Sequence, residues 1–161
     1  MNRRITAIIG VFVVGASLAY VTMAQAGSRA APVIRGAGTT MLEGGTGEPS
    51  FTPVITKLAF HWEHGSGDFE CLALAPSEPA GDPGSGEFGT NVMYVTGPIT
   101  SASMQGSVAV LKGTATVTGL GAGTDKPFTL RARQGGPGTP VVLEVSGLTF
   151  KEIMLEGHIT L

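Results

Sequence analysis

Across residues 94–133 the chain alternates small apolar and polar side chains between clusters of glycine, and this period of two predicts three consecutive antiparallel strands. Val108, Val110, Ala115, Val117, Phe128, Leu130 and Ala132 take alternate positions within those strands, with mostly Thr and Arg between them. The apolar face of such a meander needs a second layer, or closure of the sheet on itself, to cover it. The same period recurs on both sides. In residues 51–64 Leu58, Phe60 and Trp62 share one face, and Lys57, His61 and Glu63 share the other. Gly65, Ser66 and Gly67 then turn the chain into a partner strand over 68–75. Residues 33–42 read as an irregular first strand holding Gly36 and Gly38, and residues 91–102 as a strand bent at Gly97 and Pro98. Two more close the chain: 139–146, with Val141, Leu143 and Val145 inward, and 150–161, with Ile153, Leu155, Ile159 and Leu161 on one face. Beyond Ala26 no stretch keeps a 3.6-residue period for three turns, so no substantial helix is expected. The fold class that follows is all-β: an antiparallel β-sandwich or a small, partly closed β-barrel of about eight strands.

Three short segments echo one another. Val33-Ile34-Arg35-Gly36, Val110-Leu111-Lys112-Gly113 and Met154-Leu155-Glu156-Gly157 each place two apolar residues, a charge and a glycine inside a strand. Mid-strand glycine weakens a sheet, so its recurrence points to a bend, a bulge or a close crossing of backbones, as a curling sheet needs. The expectation is that the first and last strands pair. Coincidence in a chain holding 25 glycines is the alternative.

The N-terminus adds a destination. A basic start, Met1 to Arg4, precedes an apolar run over 5–23 and the small-x-small site Ala24-Gln25-Ala26. This layout predicts a secretory signal peptide over 1–26, a short tether over 27–32 and a single β domain over 33–161. An uncleaved anchor is the alternative, since about 19 apolar residues just span a bilayer. Arg3 and Arg4 lie in a poor context for twin-arginine export, and no cysteine ends the run as in a lipoprotein. Cleavage leaves eight basic residues against twelve acidic ones, a net charge of −4. That balance, without a basic patch, argues against nucleic acid and against an anionic membrane surface as partners. Cys71 is the sole cysteine, so no internal disulfide exists, and within 69–75 it reads as a small buried hydrophobe.

Residues 91–133, with GTATVTGLGAGTDKPFTL at 113–130, resemble segments of uncharacterised secreted β-rich proteins of bacteria. The resemblance implies an exported β fold and carries no activity.

Candidate chemistry is sparse. His61, Glu63 and His64 are the clustered metal-ligand types, and His158 would supply another ligand if its strand lay beside theirs. Zinc needs three or four converging ligands, and the competing reading is a solvated polar face beside buried Trp62. His64, Ser66 and Asp68 contain the types of a hydrolytic triad but lie too close in sequence to converge, and they read as hairpin-turn residues. Glu78, Asp82 and Glu87 on the long loop over 76–90 are calcium candidates whose spacing fits no EF-hand. The glycine run over 119–123 has no helix after it to hold a phosphate. Arg131 and Arg133 read as cross-strand partners of Glu144.

No catalytic or cofactor-binding residue is assigned, and no cofactor is implied. The leading expectation is a secreted, non-enzymatic β domain with a structural or binding role toward a protein or surface partner. Its main rival is a carrier holding a small apolar ligand inside a barrel, resting on Phe60, Trp62, Phe69, Tyr94 and Phe128. A metal-dependent or hydrolytic enzyme comes third.

Overall fold

The computed structural model describes residues 33–45, 52–77 and 87–161. The signal peptide, the tether, Glu78 and Asp82 lie outside the described residues. Eight strands follow in order: β1 (Ile34–Leu42), β2 (Ile55–Glu63), β3 (Ser66–Ala75), β4 (Thr90–Gln105), β5 (Val108–Gly119), β6 (Gly123–Arg133), β7 (Pro140–Val145) and β8 (Leu148–Thr160). Each pairs antiparallel with the next, and β8 pairs with β1, so the sheet is a closed up-and-down barrel. This settles the choice between sandwich and barrel, and it bears out the pairing of first and last strands: Arg35 faces Thr160 and Thr39 faces Glu156. The β2–β3 turn sits one residue earlier than expected. Glu63 already pairs with Ser66, which leaves His64 and Gly65, at φ 53° and 87°, as a two-residue loop of the kind whose twist suits a hairpin.

An eight-stranded barrel is just wide enough for side chains to fill or for one small ligand to enter. At one end filling wins. Gly36 lies opposite Phe60, Gly97 opposite Phe69, and Gly113 opposite Phe128. A Cβ at Gly36 would stand 2.5 Å from Phe60 Cζ, and one at Gly113 would stand 2.8 Å from Phe128 Cε1. Two of the three echoed glycines are therefore seats for aromatic rings, an arrangement that restores the surface a strand glycine lacks. The Phe69 and Phe128 rings also stack, with centroids 5.0 Å apart.

The third echoed glycine does something else. Thr39 pairs with Glu156 but Thr40 pairs with Met154, so Leu155 is an extra residue, a bulge followed by Gly157 at φ 106°. The bulge reverses which side chains face inward. Ile159 is buried after it, whereas before it Glu152 and Met154 are buried, Ile153 is half-buried and Leu155 is 44% exposed. The expected inward positions of Ile153 and Leu155 are thus corrected, because regular alternation does not survive the bulge. β5 needs a similar correction. It keeps one phase throughout, so Ala109 and Leu111 join Ala115 and Val117 in the core. Val108 is half-buried, and Val110 is buried outside the core cluster, with Ser103 and Arg131 as its cross-strand partners.

Closure makes Gly157 the least replaceable turn-like residue of the seam. A Cβ there would collide with the Ala37 carbonyl oxygen and lie 2.5 Å from Gly38 Cα. Gly147, at φ 77°, has open space around the same atom. Gly147→Ala is expected to cost about 1 kcal/mol through backbone strain alone, and Gly157→Ala at least about 2 kcal/mol more. Urea unfolding of the two variants measures the difference, and equal costs would show that β1 and β8 do not approach this closely.

Candidate functional site

At the other end of the barrel, where β1, β3, β5 and β7 finish, the described side chains do not fill the interior. A cavity of about 250 Å³ lies there, walled by Val54, Met93, Val95, Leu143 and Phe150, with Thr56, Cys71 and Glu152 as its polar side chains. It extends to Gly45 and Leu120, in the turns that follow β1 and β5. Leu120 is half exposed, so apolar surface continues from the interior to that end of the barrel.

Three strands supply the polar group. Thr40 on β1 and Thr56 on β2 are direct cross-strand partners, and the Leu155 bulge turns Glu152 on β8 inward to meet them. Both hydroxyls donate to Glu152 Oε2, Thr56 at 2.5 Å, and the two hydroxyls also touch each other. Thr40, Thr56 and Glu152 are the buried polar residues of the described barrel. Burial pushes the Glu152 carboxyl above its ordinary range, while the hydrogen bonds from Thr40 and Thr56 pull the other way and offset only part of it. Cys71 is free and buried beside this cluster. Desolvation first, then the Glu152 charge, push its thiol up against a lowering hydrogen bond with Thr56. It is therefore held as a thiol rather than as the thiolate that nucleophilic chemistry requires. What the arrangement offers a guest is an apolar pocket with one buried acid in its wall.

No protein-family model, curated protein or solved structure matches this chain.

The residues singled out from sequence lie elsewhere. His61 Nε2 is 3.4 Å from Glu63 Oε2, and His64 Nδ1 is 3.5 Å from Glu63 Oε1, so these three do gather, at the exposed end of β2. His158 faces Ala37 across the seam and shares with His61, Arg35, Asp68 and Glu70 a shallow hollow of about 680 Å³ on the outer face. Among the described residues no group of three or more His, Cys, Asp or Glu is placed to hold a metal ion. Ser66 and Asp68 begin β3 just after the hairpin turn, and Asp68 pairs with His61. Glu87 lies in the β3–β4 connection, where its carbonyl accepts from the Ser77 amide at 2.9 Å. Arg131 does meet Glu144, at 3.7 Å between Nε and Oε1. Of the five aromatics, Phe60, Trp62, Phe69 and Phe128 are core residues that do not border the cavity, and the Tyr94 hydroxyl donates to Glu70 at 3.2 Å.

The buried acid fixes the sign of a pH effect. Its folded-state pKa is raised, so above the ordinary carboxyl value of 4.5 the folded chain holds a proton that the unfolded chain has released. Stability is full below that value and falls as pH rises toward the folded-state pKa, by at most about 1.4 kcal/mol per pH unit. Glu152→Gln removes the slope that Glu152 contributes. Urea midpoints measured from about pH 4.5 to about pH 8 should fall more steeply in the parent than in the variant. Equal slopes would mean that Glu152 is ionised in the fold.

Proposed function

We propose that this chain is an exported, non-enzymatic carrier that holds a small, mainly apolar molecule at one end of its barrel. The single observation that supports it is the cavity of about 250 Å³, set in a barrel whose other half is packed with aromatic and aliphatic side chains. Protein interiors are close-packed, and a void leaves its lining without partner atoms. A dry apolar cavity of about 150 Å³ is enough to bind benzene, so this one suits a guest of roughly a dozen non-hydrogen atoms.

Export is supported by the leader with its Ala24-Gln25-Ala26 site and by the resemblance of 91–133 to secreted bacterial β-rich chains. A free-standing carrier fits the outer surface. Lys57, His61, Lys112, Thr114 and Thr116 face outward while the interior is apolar, the inverse of a lipid-facing barrel. The outer hollow around Arg35, His61 and His158 supports a second reading, a docking face for a protein or surface partner.

Ligand-dependent melting separates the two. A guest at a hundredfold excess over its Kd adds about 2.7 kcal/mol, which for a domain of this size raises Tm by several degrees. A panel of small apolar compounds should contain such guests, and Ala73→Phe, which fills the cavity, should abolish their effect while Ala37→Trp on the outer hollow should not. Absence of any shift across the panel would sink the carrier reading. Protein recovered from native culture supernatant should begin at Gly27, which mass spectrometry reads directly.

A further inference from the structure

The wall of the cavity restricts the chemistry of what enters it. Among its described lining residues Glu152 is the one charged type, and they include no Lys, Arg or His to neutralise an anion. A carboxylate guest would therefore place a second acid beside a buried one, which low-dielectric surroundings make costly. An amine faces the opposite difficulty. An ammonium group carries three donors, and the polar side chains of the described wall are the Glu152 carboxyl, the weakly accepting Cys71 thiol and a Thr56 hydroxyl already engaged with Glu152 and Thr40. Donors left without partners in an apolar cavity are expensive.

An uncharged oxygen meets neither obstacle. Thr40 and Thr56 both gather on Oε2, which leaves Oε1 as the carboxyl oxygen that can meet a guest, as a hydrogen-bond donor when it carries the acid's proton. We infer that the cavity selects uncharged molecules of about a dozen non-hydrogen atoms, largely hydrocarbon, whose single carbonyl or hydroxyl oxygen accepts a hydrogen bond from the Glu152 carboxyl. The inference rests on the carrier reading and gives it a ligand class. Glu152 is then the specificity-determining residue. Apolar contacts with Val54, Val95, Leu143 and Phe150 supply affinity, and the acid chooses among guests of one shape.

Four probes of one skeleton test this by calorimetry at neutral pH: tetralin, 1-tetralone, 1-aminotetralin and tetralin-1-carboxylate. The expected order places 1-tetralone first, on the order of tenfold tighter than tetralin, the worth of one buried hydrogen bond. Both charged probes should bind at least tenfold more weakly than 1-tetralone. Glu152→Met should erase the preference for 1-tetralone over tetralin. The wild-type series needs no substitution, so it decides the matter even if that variant does not fold. Tetralin binding as tightly as 1-tetralone, or the amine or carboxylate binding tightest, overturns the ligand class and leaves the carrier standing. If none of the four binds, tetralin included, the carrier reading falls and the ligand class falls with it.

Discussion

The structure depends on the hydrogen-bonded seam between β1 and β8. Without it an eight-stranded meander keeps two open edges, each a row of unpaired amides and carbonyls available to another chain. Once the edges meet, strand number and tilt set the radius, and that radius leaves an interior with room for side chains plus one small guest. Closure also dictates where glycine is needed. At the seam Gly38 and Gly157 face each other, and a Cβ on either would run into the opposite backbone. The bulge at Leu155 lets β8 follow the curve, and in doing so it moves Glu152 from the outer face to the inner one.

Most of the architecture is legible in the sequence for a plain reason. Period-two alternation is a property of each strand by itself, so Leu58, Phe60 and Trp62 on β2 and Val141, Leu143 and Val145 on β7 could be assigned inward without knowledge of their neighbours. The echo of Gly36, Gly113 and Gly157 was informative about curvature, yet the three glycines serve two purposes. Gly36 and Gly113 seat Phe60 and Phe128, partners far away in sequence, and Gly157 releases a bulge. A pattern of residue types cannot separate these uses, since the ring that covers a glycine belongs to another strand.

The cavity and its acid were hidden by one lost phase. Reading β8 backward from Ile159 and Leu161 with unbroken alternation puts Ile153 and Leu155 inside and Glu152 in solvent, where a glutamate is ordinarily expected. The signal that would have corrected it was Gly157 itself, since a strand glycine marks a possible bulge, and a bulge shifts every residue before it to the other face. Thr40 and Thr56 gave no local sign at all. They become a site through cross-strand pairing with each other and through the return of β8.

Two unfavourable features coincide at this end of the barrel. A void forgoes packing contacts, and a buried carboxyl gives up hydration for hydrogen bonds that only partly replace it. If the acid served only to clamp β8 to β1 and β2, its hydroxyl partners would meet that need, and Met93, Leu143 and Phe150 could have closed over the space beside it. If the void were only imperfect packing, it would have no reason to adjoin the one buried acid among the described residues. Neither feature explains the other. The proposed guest would account for both, because it would fill the void with apolar atoms and give the Glu152 carboxyl a hydrogen-bond partner. This is the kind of place where local stability rules are broken together, and functional sites are where such breaks are expected.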